Sequence, residues 1–466
     1  MLAATTSLYE FYYDAIKGGK FIWEMEKMHN QYGPIVRINP REIHVRDPYF
    51  FDQIYNSKRQ DKDPYIARIF ASPLSGSATV DHDHHRFRRE LVNPFFSKRA
   101  VMGLEYIIRD KVDKVSLRLQ QAYKDRTVVS LDGIFAALTA DVISHYTYGE
   151  SMGILDTEDM RNDFRDAVRG AVEICHFTRF SPLPQLLVDN VPWLIEWLQP
   201  ISKGMFDAKR MLRRKTLAVM NDEDGGKDPN APKTIFDSLC DKSVPAAERT
   251  LPRVMDEAFV VLGAGTETTA RVLALGAFYL YQDRAMLDKM REELRKVMPE
   301  PSSKVSSAQL EQLPYLAAVV NESLRLSHSV IMRLPRIATA TPLAYGDYTI
   351  PPGTPVSQSS YFVHTDTRIF PDAETFNPER WIEASNKGER LTKFLVPFSK
   401  GPRICLGMNL AYSELYQMFA VLFRCFEMKI CNTPPESIRI TRDLFIGLPD
   451  ADTLQVQGVV TGVISH

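Results

Sequence analysis

The sequence predicts a mainly α-helical protein with small β-sheets, and three observations lead there. The stretch Leu251–Tyr281 is largely apolar and long enough for a helix of roughly 45 Å, so it is expected to cross the interior. Residues 105–221 read as several amphipathic helices in succession. Strand patterning is confined to short pieces at Ile35–Ile38, Glu42–Val45 and within 341–358. The 466 residues are 44% hydrophobic and 25% charged, an ordinary globular composition. Length alone suggests two or three domains, but no linker divides the chain, so residues 1–466 are expected to form a single domain.

The formal net charge of −1 gives no reason to expect a nucleic-acid partner. The five cysteines form no Cys-x-x-Cys pair, which argues against a disulfide framework and for a reducing compartment. No run of 18 apolar residues and no signal peptide occurs.

In chain order, Tyr9–His29 is expected to be helical, and Asn39-Pro40 to turn between the first two strands. The stretch 66–83 reads as a loop rich in small residues. Asp81 is a candidate N-cap for the helix that follows, on which His85 and Arg89 share a face. His82, His84 and His85 lack acidic or thiolate partners at ligand spacing, so a solvated basic face is favoured over a metal site. In 191–200, Trp193 and Trp197 stand four apart between prolines, compatible with core packing or with an interfacial helix. Residues 221–234 are polar with Gly and Pro and read as a surface loop.

The middle of the long helix breaks its apolar pattern with Gly263-Ala264-Gly265-Thr266-Glu267-Thr268-Thr269. Glycine and threonine are poor helix formers, and threonine hydroxyls can bond back to earlier carbonyls. A close helix–helix contact explains this as readily as a functional groove. In 313–326, Glu322 and Arg325 share a helix face, and Arg380 follows much later as a third charged residue.

Phe398–Gly407 carries the clearest chemistry. Cys405 stands between glycines, with Arg403 two residues before it and a helix expected just after. A helix N-terminus and a nearby cation both favour a thiolate. Gly401 and Gly407 allow a tight turn and close approach to a flat ligand. These residues suit a metal-ligating or nucleophilic sulfur; a buried structural cysteine is the plain alternative.

The spacing Phe-x-x-Gly-x-Arg-x-Cys-x-Gly resembles the haem-binding loop of the cytochrome P450 family. Residues 264–269, 322–325 and 378–380 resemble that family's oxygen-activating helix, Glu-x-x-Arg helix and Pro-Glu-Arg meander, in the same order. The resemblance covers nearly the whole chain and implies the P450 fold, with haem between the long central helix and the cysteine loop. It implies that Cys405 is the axial thiolate of haem b, that Phe398 packs near the sulfur, and that Arg403, Arg336 and Arg89 reach haem propionates. His85 stands where the family places Trp, and Trp381 where it often places Phe. Ala264 and Gly407 would flank the haem. Glu267 and Thr268 would deliver protons to oxygen over the iron, and the Glu322–Arg325–Arg380 network would be structural. Val330, Ile331, Met332, Leu444, Phe445 and Ile446 would face the substrate.

The flavour of 81–101 resembles fungal secondary-metabolism members of the trichodiene-oxygenase-like group. The implied activity is a monooxygenase acting on a hydrophobic terpenoid or polyketide-type metabolite. Its partners would be NADPH–cytochrome P450 reductase and cytochrome b5. The implied location is the cytoplasmic face of the endoplasmic reticulum membrane, with peripheral membrane contact; the family's N-terminal anchor is not in this chain, which either begins after it or belongs to a protein that lacks one. The alternatives are a haem-thiolate isomerase or dehydratase needing no external electrons, against which Glu267-Thr268 argues, and a non-catalytic haem or lipophile carrier.

Overall fold

Two glycines break the first expected helix. The computed structural model describes residues 2–55, 59–70, 72–191, 193, 203–221, 234–450 and 455–464. After short turns at Leu8–Phe11 and Tyr12–Ile16, the chain reverses at Gly18 and Gly19, whose φ values are 70° and 77°. A Cβ on Gly19 would collide with the Asp443 carbonyl, so the break is imposed by a segment over 400 residues away. Helix α1 (Phe21–Tyr32) follows, then strands β1 (Ile35–Arg37), β2 (Ile43–Val45) and β3 (Gln60–Lys62).

Next come α2 (His82–Val92), α3 (Glu105–Asp125), β4 (Val128–Ser130), α4 (Leu131–Tyr148), α5 (Asp163–Glu173) and α6 (Lys203–Met220). Asp81 caps α2 as expected, accepting from the His84 amide at 2.8 Å. The expected long helix is α7 (Leu251–Gln282), followed by α8 (Arg284–Val297) and α9 (Pro314–Ser327). The C-terminal third supplies β5 (Arg336–Ala338), β6 (Leu343–Tyr345), β7 (Tyr348–Ile350), β8 (Pro355–Ser357), α10 (Glu379–Asn386) and α11 (Met408–Cys425). It ends with β9 (Phe426–Cys431), β10 (Arg442–Leu444), β11 (Ile446–Leu448) and β12 (Gln457–Val463).

The sheets are small, as expected. The largest orders its strands β1-β2-β8-β5-β3, and its β3–β5 pairing sets Lys62 opposite Arg336. A three-stranded sheet β4-β12-β9 and the hairpins β6–β7 and β10–β11 complete the set among the described residues.

The core forms around α7. Phe135 of α4, Leu262 and Leu273 of α7, Val319 of α9 and Phe419 of α11 are fully buried together. Each such burial contributes about 1.5–3 kcal/mol. α4 packs so closely on α7 that a Cβ on Gly265 would stand 2.8 Å from Ile143, and the Thr139 hydroxyl donates to the Thr266 carbonyl at 2.6 Å. The small-residue stretch therefore does serve a helix contact, on one of its faces. Trp197 and most of 221–234 lie outside the described residues, while Trp193 is 68% exposed.

Candidate active site

The cysteine loop is built from turns. Ser399 and Gly401 take positive φ values of 60° and 72°. The Ser399 amide bonds the Val396 carbonyl at 3.1 Å, and the Cys405 amide bonds the Phe398 carbonyl at 2.9 Å. Gly407 precedes the first residue of α11. A Cβ added to Gly407 would meet nothing within 4 Å, because this glycine borders a cavity. Cys405 opens onto the same cavity.

The thiol's electrostatics differ from the sequence expectation. Burial pushes the Cys405 thiol up, opposed by the Gly407 amide and by Arg89. Arg403, two residues upstream, instead points its guanidinium at the carbonyls of Thr79 and Val80, each at 2.7 Å. The cation nearest in effect is Arg89 of α2, which donates to the Ile404 carbonyl at 2.6 Å. Two elements far apart in sequence thus share one charge environment.

The opposite wall is α7. Ala264 is exposed in the middle of a helix otherwise largely buried, because it faces the cavity. One turn on, Thr268 also lines the cavity, and its hydroxyl donates to the Ala264 carbonyl at 2.9 Å. α7 stays helical through the glycines and threonines.

Glu267 is held from outside its own helix. Its carboxylate accepts from Arg165 Nε at 2.6 Å and from Arg169 Nη2 at 2.7 Å, both on α5. Burial by itself raises this carboxyl; the two guanidinium groups outweigh burial and bring it down to about 2. Nothing in the sequence signals this clasp, because the partners lie about a hundred residues apart.

Between the walls lies a cavity of about 440 Å³, ringed on one side by cations. Arg89, Arg336 and Arg403 all line it, and among the described residues none is ion-paired with a carboxylate. Arg403 Nε is buried without a partner. Burial and the neighbouring Arg336 pull Arg403 down to about 9. Burial, then Arg336 and Arg403, depress Lys62, a residue that sequence reasoning missed because its side comes only from the β3–β5 register. His85 is also buried at this rim; burial and then Arg403, Arg89, Lys62 and Arg336 push it down to about 3, so it is neutral. Like charges gathered in low dielectric repel each other. This ring fits a flat ligand carrying two carboxylates at one edge, seated between Gly407 and Ala264.

The remaining wall is apolar. Val168, Val172, Phe259, Val330, Phe445 and Ile446 line it. Three residues expected here do not. Ile331 packs with Phe21 and Phe362, while Met332 and Leu444 pack against Ile66.

Behind the cysteine loop, Glu322 accepts two bonds from Arg325, at 2.9 and 2.7 Å, and one from Arg380 at 3.1 Å. It also accepts from the Trp381 indole N–H and the Asn377 amide, both at 2.9 Å. Trp381 is therefore a fourth member of the expected triad, and only an aromatic bearing an N–H can fill that role.

The profile of the family described as Cytochrome P450 matches residues 11–454. The chain belongs to the cytochrome P450 family. It is 44% identical to conidiogenone synthase of Penicillium rubens over 96% of this chain and 90% of that protein. It is 41% identical to cytochrome P450 monooxygenase aflU of Aspergillus parasiticus, covering 99% and 92% respectively. It is also 41% identical to cytochrome P450 monooxygenase TRI4 of Trichoderma arundinaceum, covering 96% and 87%. This P450 is thus a haem-thiolate monooxygenase similar to fungal members of the family, and such enzymes oxidise hydrophobic substrates with electrons from a redox partner.

Proposed function

We propose that residues 1–466 form one P450 catalytic domain that binds haem b, with Cys405 as axial ligand, and oxidises a terpenoid or polyketide-type secondary metabolite. The observation that carries this reading is the cavity between Cys405 and Ala264–Thr268, edged by Arg89, Arg336 and Arg403, none of which is ion-paired with a carboxylate among the described residues. Arg89, Arg336, Arg403 and Lys62 hold the propionates, and neutral His85 adds a ring N–H donor in the place of the family's Trp. Phe398 and Gly407 border the sulfur side.

When bound, haem supplies the activation of dioxygen; the chain supplies orientation, protons and exclusion of water. Thr268, on the cavity face of α7, would relay a proton at Oγ1, taking one from water as it gives up its own. Glu267 is the acid that resupplies it, and it can do so only when Arg165 and Arg169 release its carboxylate. The apolar wall orients a greasy substrate but cannot strongly reject near-isosteres. The isomerase and carrier readings are not favoured, since relatives over nearly the full length are monooxygenases by name.

Electrons come from NADPH–cytochrome P450 reductase, with cytochrome b5 as accessory donor, at the cytoplasmic face of the endoplasmic reticulum. Membrane contact is supported by exposed Leu183, Leu186, Leu187 and Trp193 and by Leu8 and Ile16. The two segments adjoin, because Phe11 packs on Phe180 at 5.1 Å and on Phe177 at 6.3 Å.

The test is the ferrous–CO difference spectrum. Wild type is expected to show the thiolate-type band and Cys405→Ala to lose it; a retained band in the variant removes Cys405 as ligand. Thr268→Ala is expected to consume NADPH but release peroxide, with coupling to product falling on the order of a hundredfold. Full coupling in that variant removes Thr268 from the proton path.

A further inference from the structure

α7 carries an acid on its cavity face that the haem and the proton path do not use. Glu257 lies seven residues before Ala264 and eleven before Thr268, on the same helix face. Those separations are about 10 Å and 16 Å along the axis. Glu257 lines the cavity although its side chain is only 7% exposed. Its Oε2 accepts from Arg253 Nη1 at 2.5 Å and from the Gly76 amide at 2.8 Å. Its Oε1 has no hydrogen-bond partner among the described residues.

The other polar groups near this end are committed. Arg88 donates to Glu248, to the Thr79 hydroxyl and to the Leu74 carbonyl. Ser77 Oγ is paired with Ser75 Oγ, and Glu267 is clasped by its two arginines. Gly76 lets the carboxylate approach, since a Cβ there would stand 3.3 Å from Oε2 and 3.4 Å from Oε1. The result is one carboxylate oxygen offered to the cavity beside its apolar wall. A carboxylate oxygen that opens onto the cavity is a strong acceptor for a ligand hydroxyl.

We propose that Glu257 is a specificity-determining residue that binds a hydroxyl of the substrate through Oε1. The inference rests on the monooxygenase reading and narrows its substrate class to an apolar skeleton that already bears an alcohol. The hydroxyl sits at Glu257, and the carbon to be oxidised lies about 10–16 Å away beside Ala264 and Thr268. A preceding hydroxylation, hydration or phosphate-ester hydrolysis must therefore supply this substrate. A site built to accept a hydroxyl proton discriminates strongly against the analogue lacking it.

Glu257 also ties the loop above the cavity to α7, as Asp256 does by accepting from the Leu74 amide at 2.9 Å. Asp256→Leu therefore serves as the control for a purely structural role. The experiment is an optical binding titration of the haem-loaded full chain with two probes of one skeleton, farnesol and farnesene. Wild type is expected to bind farnesol at least tenfold more tightly. Glu257→Leu is expected to bring that ratio near one, Glu257→Gln to keep only part of it, because its carbonyl stays with Arg253 and the Gly76 amide and its NH2 donates to the ligand oxygen, and Asp256→Leu to weaken both probes alike. Gly76→Ala, which crowds the carboxylate without removing it, is expected to lower the ratio in a folded protein. A wild-type ratio near one, or a ratio kept in Glu257→Leu and Gly76→Ala, overturns the proposal while leaving the monooxygenase reading intact. A ratio lost equally in Asp256→Leu assigns Glu257 to loop anchoring and also overturns it. Loss of the thiolate-type ferrous–CO band in wild type itself would overturn both.

Discussion

Two buried clusters of charge in this P450 are built on opposite plans. Around Glu322, one carboxylate is met by Arg325, Arg380, Trp381 and the Asn377 amide, and the arginines spend their other N–H groups on carbonyls such as His364 and Pro371. Around the cavity, Arg89, Arg336 and Arg403 gather, and among the described residues none is ion-paired with a carboxylate. The first cluster is complete within the chain. The second reaches neutrality only with an anionic ligand. A buried charge paired by the protein does structural work, and a buried charge of one sign left open marks a binding edge.

The largest effect is expected from breaking the complete cluster. Glu322→Leu strands two buried guanidinium groups and should cost about 3–5 kcal/mol of stability. Chemical denaturation measures it, and added haem should not restore it. A wild-type unfolding midpoint would make the two clusters equivalent and break the comparison.

Arg403→Leu should act unequally on the two states. In the haem-free protein stability should change little, since removal of a partnerless buried Nε and of a repulsive neighbour offsets the lost bonds to the Thr79 and Val80 carbonyls. Haem retention should fall by about 1.5–3 kcal/mol, the worth of a charge-assisted bond. Haem transfer to an acceptor protein reads the second effect and melting of the haem-free chain the first. Equal losses in both would show that the ring is complete without its ligand.

Glu267 sharpens the contrast, because it sits at the cavity yet is fully paired. Its carboxyl is lowered from the ordinary 4.5 to about 2. The stability this contributes is present above the ordinary carboxylate range and is lost as pH falls through about 2, so it is constant between pH 5 and 8. In Arg165→Gln/Arg169→Gln, burial acts unopposed and raises the carboxyl. That penalty grows as pH rises through the new value, so stability should decline toward alkaline pH and oxygenation coupling should acquire a pH dependence that wild type lacks. Flat profiles in both proteins would mean that the arginines do not control Glu267.

The smallest effect is expected at His85. It is neutral at the rim, so His85→Leu removes one uncharged bond worth about 0.5–1.5 kcal/mol of haem retention. The haem transfer assay used for Arg403→Leu measures it. A loss as large as that of Arg403→Leu would assign His85 a charge in the loaded protein.

Residues that form their element locally were legible from order and spacing alone. The cap at Asp81, the cysteine loop, the long helix and the Glu322–Arg325 pair each depend on neighbours within a few positions. Their spacing carries the information. The helix expected over Tyr9–His29 failed at Gly18 and Gly19 because its limit is the Asp443 backbone. Lys62 faces the cation ring through strand register, and Arg165 and Arg169 reach Glu267 across two helices. No periodicity encodes such meetings.

The sequence by itself determined the family and the helix-rich class, because motif spacing and apolar periodicity are local properties of the chain. Only the tertiary structure decided which charges are satisfied. It paired Glu267 with α5, gave Glu322 a tryptophan, and, among the described residues, left Arg403 Nε and one oxygen of Glu257 without a partner. Whether a buried charge is paired depends on distances of about 3 Å between elements far apart in sequence, and those distances exist only after the core has closed around α7.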